Sequence, residues 1–189
     1  MSNGSPPTPA WLAKARDHWT NRGQRRPDFA IAPTQGQESV WDYPRPPAVV
    51  EDSRDVEVRS NGEVIASATQ SIRILETSHP PSFYLPPEAV QEALDGGMLT
   101  VVPGSSHCEW KGQAEYLGVP GSKTPVGWRY PKPYPEFQQW ADYVSFYPHL
   151  VDCYVDDEHA RPQPGGFYGG WITDDVVGPF KGDAGSSGW

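Results

Sequence analysis

Proline and glycine set the first limit on this chain. Its 189 residues include 22 prolines and 19 glycines, together roughly 22% where average usage gives roughly 12%. Proline has no N–H to donate, and glycine loses the most backbone freedom on ordering. A chain punctuated this often folds into short elements joined by turns. Aromatic residues make up 12% of it, so a core is available and much of that core must be rings. Charge removes whole classes of partner. Fifteen Lys and Arg stand against 24 Asp and Glu, a formal net charge of −9. Phosphate backbones and anionic membrane surfaces are held by clustered Lys and Arg, so neither nucleic acid nor membrane is expected as a partner. No run approaches the length of an apolar transmembrane helix. The opening residues, Met1-Ser2-Asn3-Gly4-Ser5-Pro6-Pro7, lack the basic and apolar regions of a secretory signal. The expected compartment is therefore the cytoplasm, with Cys108 and Cys153 as thiols. A single bridge between them is the alternative that parity allows.

Three regions emerge along the chain. Residues 1–50 read as a disordered start, a helix and an extended arm packed on the core. Thr8-Pro9 is a helix-start pair, and Trp11, Ala15 and Trp19, with Leu12 beside them, predict an apolar helix face over 9–20. Gly23 ends it. The arm that follows carries Phe29, Ile31, Trp41 and Tyr43; docking of these rings on the main domain is the expectation, and a mobile tail the alternative. Residues 51–158 read as a β-rich core. Val56 and Val58 alternate with charged residues, Asn61-Gly62 is a hairpin turn, and 64–66 returns as the partner strand. Further strands are predicted over 71–76, 98–102, 113–119, 126–130, 143–147 and 151–155. A short helix follows Pro86-Pro87 and closes at Gly96-Gly97, and a helical turn covers 135–140. The remainder, 159–189, is a tail rich in glycine and aromatics. The fold expected is mainly β: two antiparallel sheets in a tent-like or open-sandwich arrangement, with a short N-terminal helix and one or two other short helices.

Several ordered segments resemble a known family. They are 56–66, the run Leu75-Glu76-Thr77-Ser78-His79-Pro80-Pro81-Ser82-Phe83-Tyr84-Leu85-Pro86, the run Cys108-Glu109-Trp110-Lys111-Gly112-Gln113-Ala114-Glu115-Tyr116, Trp128-Arg129-Tyr130-Pro131 and Tyr143-Val144-Ser145-Phe146-Tyr147. In order, they are similar to domain-of-unknown-function family 427, which carries a nucleotidyltransferase-like name. The likeness covers roughly 51–157. The flanks 41–47 and 162–171 resemble those of the longer bacterial members. The resemblance implies a compact domain of two antiparallel sheets leaning together. It places Lys111 within a family motif. Members commonly have Cys-Pro where this chain has Cys108-Glu109.

Candidate chemistry gathers in the same segments. Lys111, next to Gly112 between two strands, can aim an ammonium into a cleft, to bind an anion or to act as base or nucleophile; a solvated surface lysine is the bland reading. Glu76, at the end of a strand, can pair with Lys111 or accept a proton, or simply sit in water at a sheet edge. Glu76 and Lys111 are the catalytic candidates. Tyr84, Trp110, Trp128 and Tyr130 are the ligand-binding candidates, because small-molecule sites combine aromatic walls with a few polar groups. Core packing is the competing role for each ring. His79 is read more as a turn residue than as a base. Cys108 is read more as an inert thiol than as a nucleophile, since His107 beside it points to the opposite strand face. Two cysteines 45 positions apart and five scattered histidines are not structural-zinc spacing, so no metal or cofactor is expected. No P-loop, dinucleotide fingerprint, nucleophile elbow or zincin motif occurs. The function expected is binding of a small polar or aromatic ligand in an aromatic-lined cleft. The alternatives are an enzyme using Glu76 and Lys111, nucleotidyl transfer included, and a protein-interaction module with a protein partner.

Overall fold

The structure is a computed structural model describing residues 6–7 and 9–189, the side chains of 13 and 15 excepted. The cap expected at Thr8 and the disorder expected of the first five residues lie outside this range. The fold is mainly β, with 31% strand and 11% helix. Val56–Ser60 pairs with Glu63–Ala68 through the Asn61-Gly62 turn, whose φ angles of 52° and 85° give the two left-handed positions of a tight hairpin. Asp152–Val155 lies on the other side of Val56–Ser60, and Glu158–His159 completes an antiparallel four-stranded sheet. The acidic run at 156–158 is the tip of that last hairpin.

A second four-stranded sheet runs in the order Val144–Phe146, Gly127–Arg129, Glu115–Gly118, Thr100–Val102. A three-stranded sheet joins Ala48–Asp52, Ser71–Leu75 and Ser82–Tyr84. A bridge between Leu85 and Val144 connects these two sheets. Helix Glu88–Asp95 buries Val90 and Ala93 and stops at Gly96-Gly97, with Gly97 at φ 73°. The turn over 135–140 is the 3-10 helix Pro135–Trp140.

Strand Ala48–Asp52 begins before the expected edge of the core at 51. Its leading residues are half-buried on both faces, so they carry no alternation to read. The first helix is Ala10–Asp17, shorter than expected. Leu12 is 1% exposed, whereas Trp11 is 61% exposed and Trp19 lies beyond the helix end. The buried side therefore runs through Leu12 rather than Trp11. Arm and tail meet in a parallel pair, Glu38–Ser39 with Val176–Val177. Two-residue strands have no period, so neither was visible in the sequence. Cys108 and Cys153 are both free.

Alternation along Ser82–Tyr84 divides the interior. Phe83 enters the main aliphatic core, stacked on Trp171 with ring centroids 5.1 Å apart. Tyr84, pointing the other way, enters an aromatic cluster with Ile72, Ile74, Trp110, Trp128, Tyr130 and Phe137. A third cluster, Val40, Trp41, Tyr43, Leu75 and Val176, holds the arm and tail against the three-stranded sheet. Trp171 belongs to the main core although it comes from the tail; it is fully buried and its indole Nε1 donates to the Phe146 carbonyl at 3.0 Å. Replacing it with alanine removes the stacking partner of Phe83 and leaves that carbonyl unsatisfied. Trp171→Ala should lose about 3–5 kcal/mol, and thermal melting should read this as a fall of roughly 6–20 °C.

Candidate functional site

The second face of the sheets, where Tyr84 points, borders a cavity of about 760 Å³. All six residues singled out by sequence line it: Glu76, Tyr84, Trp110, Lys111, Trp128 and Tyr130. Each is set there by a local feature. Glu76 follows the end of Ser71–Leu75, and Tyr84 ends the neighbouring strand. Trp128 sits centrally in Gly127–Arg129, cross-strand from Tyr116. Trp110 and Lys111 occupy the turn between His107–Cys108 and Gly112–Gln113. Gly112 has φ 102°, a left-handed angle that reverses the chain there.

The ring wall is fixed by polar contacts as well as packing. Trp128 Nε1 donates to the Tyr84 hydroxyl at 2.8 Å. The Trp128 ring lies 4.5 Å from Tyr147 and edge-on to Tyr84 at 5.9 Å. A Cβ on Gly169 would stand 2.1 Å from the Trp128 ring, so only glycine lets the tail cross this wall. Burial raises the Tyr84 and Tyr130 hydroxyls above the ordinary tyrosine range, and both remain neutral donors.

Glu76 finds its ion-pair partner in Arg45, with Arg45 Nε donating to Oε1 at 3.0 Å. Lys111, the partner considered from sequence, acts on it only at longer range. Burial pushes the Glu76 carboxyl up, but His79, Arg45 and Lys111 outweigh burial and hold it below the ordinary carboxylate value. The Trp110 indole N–H favours the same carboxylate yet makes no formed hydrogen bond. Lys111 is 9% exposed. Burial opposes its charge, while Cys108, Tyr84 and Glu76 favour it, and its pKa lies above the ordinary lysine range. The direction of the shift keeps it an ammonium near neutral pH.

Arg45, Gln163, Lys181 and Trp19 were not singled out. Arg45 comes from the arm, and its side chain is fully buried. It also donates to the Asn21 and Thr77 carbonyls, at 3.2 and 2.8 Å, and lies 4.5 Å from the Trp19 ring. Lys181 Nζ sits 3.9 Å from the same ring and donates to the Trp189 carbonyl at 2.7 Å. Trp19 Nε1 donates to Glu109 Oε1 at 2.7 Å. The one available signal was the Arg between prolines at 44–47, an odd place for a solvated charge. Among the described residues no group of three or more His, Cys, Asp or Glu is placed to hold a metal ion.

His79 has a defined tautomer. Gln163 Nε2 donates to the Lys181 carbonyl at 2.8 Å and lies 3.0 Å from His79 Nδ1. An amide nitrogen only donates, so Nδ1 accepts and the ring proton is on Nε2. Burial lowers the His79 pKa to about 4, against the pull of Glu76. The unfolded chain takes up this proton near pH 6.5 and the folded one only near 4. Stability is therefore fully present above pH 6.5 and falls as pH drops from 6.5 to 4. Melting temperature followed across that window should decline for the native chain. His79→Asn, which keeps an acceptor for Gln163 and cannot titrate, should flatten the decline.

Comparison with known proteins adds one finding. No curated protein matches the chain. The model of NTP_transf_9, described as a domain of unknown function (DUF427), matches residues 48–157. That span holds the six residues above and all three large sheets up to the Asp152–Val155 strand. Because it takes in more than half of the sequence, the chain belongs to the DUF427 family.

Proposed function

We propose that the cavity is a binding pocket for a small molecule with a flat aromatic group. The observation that carries this reading is the convergence of four rings from three separate segments, Tyr84, Trp110, and Trp128 with Tyr130, together with Glu76 and Lys111, around one space of about 760 Å³. That is within the usual size of small-molecule sites, roughly 300–1,000 Å³, and the mixture of aromatic walls with few polar groups is typical of them. The rings combine packing against one another with a place on the cavity wall, which supports the reading. They are buried against one another on one side and face the cavity on the other.

The helix Ala10–Asp17 supports the reading by covering part of the opening. Arg16 donates through Nε and Nη2 to the Glu109 carbonyl at 3.0 and 2.9 Å and lies 4.9 Å from the Trp110 ring. Trp11 and Phe167 remain exposed at the cavity's edge.

A thermal-shift screen of aromatic acids, amides, amines and nucleosides tests the proposal. A ligand at 100 times its dissociation constant adds about 2.7 kcal/mol, which should raise the melting temperature by roughly 5–11 °C for a chain of this size. Trp128→Ala removes one wall and should weaken any such ligand by about tenfold or more. Silence across the library would overturn the pocket and turn attention to Trp11 and Phe167 as contacts for a protein partner.

A further inference from the structure

We infer that the ligand carries a single negative charge, as an aromatic carboxylate, and that this charge meets Lys111. The inference rests on the pocket reading above and names the chemistry of its occupant. A buried ammonium is costly unless a counter-charge is supplied. Lys111 is nine-tenths buried and lines the cavity. Among the described residues no carboxylate reaches ion-pairing distance of its Nζ. The nearest carboxylate acting on it, Glu76, is paired with Arg45. What surrounds Nζ is weaker: the Cys108 sulfur and the faces of Tyr130 and Phe137, with centroids 5.7 and 5.8 Å away. Thiols are poor acceptors, and a ring face at that range supplies only part of an ion pair. Lys111 thus lines the cavity as a buried cation with no carboxylate at ion-pairing distance among the described residues.

The other charges fix the sign and size of the missing partner. Lys181 is occupied by the Trp19 ring and the Trp189 carbonyl. Glu109 accepts from Trp19. Glu76 is matched by Arg45, and His79 is neutral. Among the described charged residues at the cavity, Lys111 alone has neither an ion pair nor a hydrogen bond to an oxygen, so the complement is one negative charge. A dianionic phosphate fits poorly. It asks for several converging donors, and here Glu76 and Glu109 would repel the second charge. The rings Tyr84, Trp128 and Tyr130 bound the space beside Lys111, which places an aromatic body next to the carboxylate.

A matched series separates this inference from the pocket reading: 2-naphthoate, 2-naphthamide and 2-naphthyl phosphate, measured by isothermal titration calorimetry on the full chain. The expected result is naphthoate binding at least about tenfold more tightly than the amide, with the phosphate weaker than the carboxylate. In Lys111→Met, which keeps an apolar stem of similar length, the preference for the acid should vanish while amide binding stays. Lys111→Arg should retain a preference for the acid. Equal binding of acid and amide, a phosphate tighter than the acid, or an acid preference that survives Lys111→Met would overturn the inference and leave the pocket standing. Failure of all three compounds to bind would overturn both. Should Lys111→Met not fold, the wild-type ranking of acid, amide and phosphate decides alone.

Discussion

The buried guanidinium of Arg45 ties this molecule together. It has no solvent of its own, and its donors are met by the Glu76 carboxylate, the Thr77 carbonyl and the Asn21 carbonyl. Those partners come from the end of a core strand and from the segment following the first helix. Its flat face lies on Trp19, and Lys181 from the tail lies against the same ring. One desolvated charge thereby fixes the arm, the sheet and the tail in register. Breaking such a pair by removing one partner generally costs about 3–5 kcal/mol, because the charge left behind is stranded. The arrangement also decides the state of Glu76. Its carboxylate is ionised and paired with Arg45 at the cavity.

From that pairing follows the asymmetry of the cavity. In an acidic chain, the pocket's Glu76 is paired with Arg45, while Lys111 has no carboxylate at ion-pairing distance among the described residues. The position of Lys111 arises from local geometry: a turn with a left-handed glycine carries the lysine inward beside Cys108, where burial has removed water and Glu76 acts on it only at longer range. At the cavity wall, Gly169 of the tail allows backbone to lie against Trp128. The tail, the arm and the first helix all lie outside the matched family region, and all three contribute to the cavity's lining or its supporting contacts.

Much of this was legible in the residues. The Asn61-Gly62 hairpin, the helix between Pro87 and Gly96, and the alternation at 151–155 each follow from local rules of turn chemistry and period, and the structure has them. Glu76, Tyr84, Trp110, Lys111, Trp128 and Tyr130 were picked one motif at a time, and they meet around one cavity. Other features were hidden for physical reasons. The pairing of Glu38–Ser39 with Val176–Val177 has no periodic signal and spans nearly the whole chain. Trp11 seemed to head an apolar helix face, but the helix is shorter and rotated so that Leu12 is the buried residue.

The sequence by itself determined the short, turn-bounded strands, the aromatic character of the interior and the family motifs, because turn propensity and side-chain alternation act over a few residues. Only the tertiary structure decided which charges pair. Glu76 went to Arg45 instead of Lys111, Gln163 set the tautomer of His79, and Lys111 was left buried with no carboxylate at ion-pairing distance among the described residues. Ion pairing and desolvation depend on distances between segments that are remote in the chain, and no local pattern encodes them.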